Sequence, residues 1–202
     1  MLSALPSPPE GLFDAVRRVA ADLLPNRIHS IGARPLNYDE SKIVVIPRPL
    51  YHLNLDQLAE GSGLAAAHSV GWRSLVIMDD VPVALSDADV HEDGVAVQAM
   101  NYGPFVGGLT NAAAALEHAE EREVAGPAGH PEERILEITG AINFVGLWLH
   151  NDANSERDLL VPAAPAPPGL DANRIYRAQE ILALIRRDRP GRGPDRAAGS
   201  GE

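Results

Sequence analysis

Three strand-like segments follow one another between residues 72 and 101, separated only by short polar turns. The first two are the halves of "WRSLVIMDDVPVALSDADV", which meet at Asp79-Asp80, and the third is "VAVQAMN". Aspartate side chains hydrogen-bond the nearby backbone in tight turns, so Asp79-Asp80 predicts a hairpin. A second turn at residues 91–94 leads into the third segment, whose alternating pattern is that of a half-buried strand. These residues are therefore expected to form three antiparallel strands.

Other segments also have the composition of strands. A β-branched run over Lys42–Ile46 predicts a buried strand that is closed by Pro47 and Pro49. Later in the chain, apolar segments predict strands over Ile135–Thr139 and Ala141–His150. A polar turn then returns the chain into "DLLVP", which predicts another hairpin.

Three segments have the periodicity of helices: residues 9–24, residues from about Pro104 onward, and residues 173–187. Gly107 and Gly108 lie near the start of the second helix. Each weakens a helix by roughly 1 kcal/mol relative to alanine. Either that end of the helix frays, or a close backbone contact requires the missing side chains, and the sequence leaves both interpretations open.

The order of these elements predicts an α+β fold. Runs of antiparallel strands, broken by one helix and flanked by terminal helices, favour a mainly antiparallel sheet of about five or six strands packed with helices in a single layer-sandwich domain. A length of 202 residues suits one domain. We expect residues 1–187 to form that domain and residues 188–202, rich in Arg, Gly and Pro, to form a disordered tail.

Charge and composition restrict the possible partners. The chain carries a net charge of −11, and aromatic residues make up only 4% of it. An acidic body repels phosphate backbones and anionic lipid, and few aromatic rings are available to stack on bases, so neither nucleic acid nor membrane is expected as a partner. There is no cysteine, no basic apolar leader and no apolar run of membrane-spanning length. We therefore expect a cytoplasmic protein. The chain is also rich in Ala, Gly, Pro and Arg, which is typical of proteins encoded by GC-rich bacterial genomes.

No sequence motif indicates a catalytic centre. The "GSG" at residues 61–63 lacks the Lys-Ser/Thr of a phosphate-binding loop, and "HSVGW" at residues 68–72 does not match a nucleophile elbow. Glu137 interrupts an apolar strand and is a candidate for acid–base chemistry, but outward placement at a bend is the favoured interpretation. No catalytic residue, metal or cofactor is assigned.

Turn residues supply the candidate ligand-binding site. Histidines are spread along the chain without an HxH or HxxxH pair, so metal ligands would have to converge from neighbouring strands. Asp and Asn are also the ordinary residues of solvated turns. If the hairpin tips lie at one end of the sheet, the residues that could meet there are His52, Asp79, Asp80, His150 and Asp152.

These observations predict an acidic, non-enzymatic binding or protein-interaction domain whose partner is another protein or a second copy of itself. One alternative is a small-molecule or metal-dependent enzyme with its site at the strand ends. Another is a subunit of a larger bacterial assembly that docks through its terminal amphipathic helix. Trp148 lies between two leucines and is expected to pack in a core or an interface.

Overall fold

The computed structural model describes residues 5–27, 36–119, 131–140 and 142–187; the tail expected over 188–202 lies outside these ranges. Within the described residues the chain forms eight strands and four α-helices. In chain order these are α1 (Leu12–Leu23), β1 (Ile43–Asn54), α2 (Leu55–Ala59), β2 (His68–Met78), β3 (Val81–His91), β4 (Gly94–Asn101), α3 (Pro104–Glu117), β5 (Glu132–Thr139), β6 (Phe144–His150), β7 (Leu159–Pro162), β8 (Tyr176–Arg177) and α4 (Ala178–Arg187).

All eight strands belong to one sheet, in the order β4-β3-β2-β1-β5-β6-β7-β8. Neighbouring strands are antiparallel except for β1 and β5, which run parallel from Leu50 opposite Ile135 to Asn54 opposite Thr139. The α+β class predicted from the sequence is confirmed. The sheet is mainly antiparallel, as expected, but it has eight strands rather than about five or six, and one pair of neighbouring strands is parallel.

The hairpin predicted at Asp79-Asp80 is confirmed. These two residues connect β2 and β3, and their φ angles are 51° and 62°. Two consecutive left-handed residues make the type of two-residue turn whose twist matches that of the flanking strands. Aspartate tolerates this conformation because its short side chain can hydrogen-bond locally.

The sequence predicted that the first strand is closed by Pro47 and Pro49. Instead, β1 continues through both prolines to Asn54. Pro47 and Pro49 lie opposite Ser74 and Trp72 of β2, before the first β1–β5 pair at Leu50. Prolines two residues apart direct their nitrogens to the same side of a strand. On the side where β5 has not yet begun to pair, a missing N–H interrupts no ladder, so both prolines are tolerated.

The last helix is shorter than its periodicity predicted. The segment expected to be helical from residue 173 first forms β8, in which Tyr176 pairs with Leu160 of β7. The helix α4 then begins at Ala178, and its buried face is Ala178, Ile181, Leu182 and Ile185. Pairing with the exposed edge of β7 thus replaces the first helical turn.

Helices cover both faces of the sheet. In β2, Leu75 packs with α3 whereas its neighbour Val76 packs with α1. In β6, Leu147 packs with α3 whereas Trp148 packs with α2 and α4. Since successive side chains of a strand point to opposite faces, α1, α2 and α4 share one face and α3 lies on the other.

The two glycines of α3 have different surroundings. A Cβ atom added to Gly108 would lie 2.8 Å from the carbonyl carbon of Ala164 and within clashing distance of its oxygen. A Cβ atom added to Gly107 would have no neighbour within 4 Å. The close backbone contact that the sequence left open therefore exists at Gly108, where α3 passes over the segment that follows β7.

We expect Gly108→Ala to destabilise the protein by about 1–3 kcal/mol, because the clash with the Ala164 backbone outweighs the gain in helix propensity. Gly107→Ala is the matched control and should raise stability by up to about 1 kcal/mol. Both free energies of unfolding follow from chemical denaturation. Equal effects of the two substitutions would contradict the contact between α3 and Ala164.

Candidate functional site

A cavity of about 700 Å³ lies on the α4 face of the sheet and is the candidate functional site. We call it the α4 cavity. One wall is α4, the opposite wall is the segment 61–65, and strand β6 and the turn after it form the floor. The side chains and backbone that line it belong to Gly61, Ser62, Gly63, Leu64, Ala65, Trp148, His150, Ser155, Asp158, Ala178, Gln179, Leu182, Ala183 and Arg186.

Local sequence explains why this space is left open. In α4, Ala178, Leu182 and Arg186 recur every four residues and so lie along one side of the helix. The opposite wall follows α2 and turns through Gly61 and Gly63, whose φ angles of 94° and 63° favour glycine. Small residues on both walls leave a gap that the floor does not fill.

The floor is organised around the carboxylate of Asp158, which is only 1% exposed. Its Oδ2 atom accepts hydrogen bonds from Trp148 Nε1 at 2.8 Å and from His150 Nδ1 at 3.0 Å. Its Oδ1 atom accepts from the backbone N–H of Asn151 at 2.8 Å. Several donors to one carboxylate compensate for its removal from water.

The imidazole of His150 lies between two carboxylates. Its Nε2 atom is 3.0 Å from Oδ1 of Asp152, and its Nδ1 atom contacts Asp158. Both ring nitrogens therefore lie next to carboxylate oxygens of the protein.

Aromatic rings and a guanidinium group support the floor from the side. Tyr51 packs edge-on against Trp148 with ring centroids 5.2 Å apart. The Arg134 guanidinium lies 4.8 Å from the Tyr51 centroid and 5.1 Å from that of Trp148, and it pairs with Glu132 at 2.6 Å. Trp148 is buried, as the sequence suggested, and the contacts to Arg134 and Asp158 fix its orientation at the cavity.

Of the five candidate residues from the sequence, only His150 and Asp152 meet. His52 lies on the other face of the sheet, since its neighbours Tyr51 and Leu53 pack on the α4 face. Its Nε2 atom contacts Glu137 at 3.0 Å. Asp79 and Asp80 lie at the β2–β3 turn, which is next to the first residue of β1. His52 lies near the opposite end of β1, so these residues do not meet.

On that other face, charged side chains form ion pairs with one another. Arg48 pairs with Glu133 at 2.6 Å, and Arg73 pairs with Asp87 at 2.6 Å and with Glu137 at 3.4 Å. Burial alone would lower the pKa of Arg73, but hydrogen bonds and attraction from Asp87 and Glu137 raise it above its ordinary value. The carboxylate of Glu137 is therefore held by Arg73 and His52 rather than left as a free acid or base.

A smaller cavity of about 270 Å³ borders this network, lined among others by Arg73, Asn101, Tyr102 and Glu137. Asn101 donates to Asp87 at 3.2 Å, so its amide also belongs to the network. Burial raises the pKa of Tyr102. Because the charged groups here already bond to each other, fewer of their hydrogen-bonding atoms are left for a ligand than in the α4 cavity.

In the part of the chain that the structure describes, no group of three His, Asp or Glu side chains is arranged to hold a metal ion. Over the same residues, no helix combines the length and apolar character needed to cross a membrane. Comparisons with family models, with curated proteins and with solved structures gave no match. The functional assignment therefore rests on the geometry of the α4 cavity.

Of the polar residues that line this cavity, the sequence predicted His150 as a site residue but not Asp158 or Arg186. Asp158 is the first residue of "DLLVP" and resembles the end of a polar turn, although a charge placed directly before a buried strand is a signal for a partner. Arg186 falls within the helix predicted over residues 173–187, but no role at a site was predicted for it. Its i, i+4 spacing from Leu182 is the signal that it shares the inner side of α4.

We expect Asp158→Ala to lower the free energy of unfolding by about 3 kcal/mol, because it leaves two buried donors and one partly buried donor without their acceptor. The control is Asp152→Ala, which removes an 82% exposed carboxylate and should change stability by no more than about 0.5 kcal/mol. Urea denaturation followed by circular dichroism measures both. A loss below about 1 kcal/mol for Asp158→Ala would show that the floor does not depend on this carboxylate.

Proposed function

We propose that this protein is a non-catalytic binding domain that holds a small organic molecule in the α4 cavity. The observation that carries the proposal is the cavity itself, whose volume of about 700 Å³ is that of ligand sites in proteins. Its lining combines apolar groups such as Leu64 and Leu182 with a few polar ones such as Gln179 and Arg186. This combination is typical of sites that enclose an apolar body and orient it with a few polar contacts.

The hydrogen bonds of the floor favour binding over catalysis. Both nitrogens of His150 lie 3.0 Å from carboxylate oxygens, so each already has a partner within the protein. Ser155 lines the cavity, but among the described hydrogen bonds none joins it to His150, as nucleophilic catalysis would require. The polar groups of the floor instead hold Trp148 and one another in place, which suits a preorganised binding surface.

An uncharged fluorescent probe, N-phenyl-1-naphthylamine, tests whether the cavity accepts apolar molecules. We expect it to bind the wild-type protein at one site with enhanced emission. Ala183 is exposed and lines the cavity, so Ala183→Trp should fill the space without disturbing the core. The affinity for the probe should then fall by about tenfold or more.

Ala153→Trp is the control, because Ala153 is an exposed alanine that does not line the cavity. This variant should bind the probe as the wild-type protein does. If the probe fails to bind, or if both variants bind it equally, the α4 cavity is not a ligand site and the proposal is wrong.

A further inference from the structure

We infer that the ligand of the α4 cavity is a monocarboxylate with an apolar body, and that Arg186 binds its carboxylate. This inference rests on the proposed function of the cavity and specifies the chemical class of the ligand. Three features of the described residues support it: the guanidinium of Arg186 has no carboxylate partner among them, the one carboxylate that they contribute to the lining is already hydrogen-bonded, and an apolar wall lies between the two groups.

Arg186 is held in place but keeps most of its donors. Its Nε atom donates to the backbone oxygen of Leu58 at 2.8 Å, which ties α4 to α2. Among the residues that the structure describes, no carboxylate pairs with it and no acceptor bonds to its two terminal nitrogens. The residue as a whole is half-buried, and it borders the cavity.

A guanidinium group fixed through Nε presents its terminal N–H groups to an incoming ligand. A carboxylate has two oxygens, and charge-assisted hydrogen bonds between these groups are among the strongest in proteins. Partial burial strengthens the attraction, because less water screens the pair than at an open surface. With respect to the described part of the chain, Arg186 can therefore bind an anionic group through its terminal nitrogens without first losing another partner.

The remaining charges of the lining do not oppose an anion. Among the described lining residues Asp158 is the only one with a carboxylate, and donors from Trp148, His150 and Asn151 occupy its two oxygens. The Nδ1 atom of the His150 imidazole contacts the same carboxylate oxygen that accepts from Trp148. In a chain with a net charge of −11, the cavity thus presents a positive group that lacks a partner among the described residues.

The geometry of α4 separates the charged end of the cavity from its apolar part. The backbone N–H of Ala178 donates to the Asp158 backbone oxygen at 2.9 Å, so α4 begins beside the floor. Arg186 lies about 12 Å farther along the helix, at a rise of 1.5 Å per residue. Leu182 and Leu64 line the space between them. A ligand with its carboxylate at Arg186 can therefore extend an apolar chain toward Trp148.

Isothermal titration calorimetry with octanoate, 1-octanol and octylamine tests the inference on the wild-type protein. We expect octanoate to bind about tenfold or more tightly than 1-octanol, since a hydrogen-bonded charge adds affinity that the alcohol lacks. Octylamine should bind more weakly than either. If 1-octanol or octylamine binds as tightly as octanoate, the inferred carboxylate is wrong.

Arg186→Gln should weaken octanoate binding by about tenfold and leave 1-octanol binding unchanged. Arg187→Gln removes the same charge from the next, exposed position of α4 and should leave both affinities unchanged. An equal loss of octanoate binding in the two variants would show a general effect of charge and would overturn the role of Arg186. Should Arg186→Gln fail to fold, the comparison of the three ligands on the wild-type protein still decides the chemical class.

The two proposals fail in different ways. Binding of N-phenyl-1-naphthylamine and 1-octanol, blocked by Ala183→Trp, together with no preference for octanoate, would overturn the carboxylate and leave the binding function intact. Absence of binding by any of these molecules would overturn the binding function itself.

Discussion

The parallel pairing of β1 and β5 at the centre of the sheet determines the rest of the architecture. Strands β1 to β4 form one antiparallel run, strands β5 to β8 form a second, and only the β1–β5 pair joins them. A parallel pair needs a crossover connection, because the chain must return to the same end of the sheet before the second strand begins. Here α3 lies between β4 and β5 in the chain, and it covers the face that the other helices leave open.

The cavity follows from this arrangement, because α4 covers the end of the second run without filling the space above β6. A buried carboxylate at that position would destabilise the fold unless donors surrounded it. Trp148, His150 and the Asn151 backbone supply those donors for Asp158, and the same bonds hold the indole and imidazole rings at the floor. The interactions that stabilise the end of β6 therefore also shape the surface on which a ligand would lie.

Elements defined by neighbouring residues were predictable from the sequence. Two aspartates between apolar runs signalled the β2–β3 hairpin, and apolar periodicity signalled α1 and α3. Elements that depend on partners distant in the chain could not be predicted from the sequence. Pro47 and Pro49 are compatible with β1 only because β5 starts to pair at Leu50, and Tyr176 leaves its helical pattern only because β7 offers a free edge. In the candidate site, His150 and Asp152 are close in sequence and meet, whereas His52 and Asp79 lie elsewhere because face and register separate them.

The sequence by itself determined the α+β class, the places where the chain turns, and the acidic charge, since each depends on local composition or on a sum over the chain. Only the tertiary structure decided the order of the strands, the face on which each helix packs, and the convergence of Asp158, His150, Trp148 and Arg186 around one cavity. The physical reason is that strand pairing joins residues far apart in the chain. A shift of one residue in register would move each side chain of a strand to the opposite face.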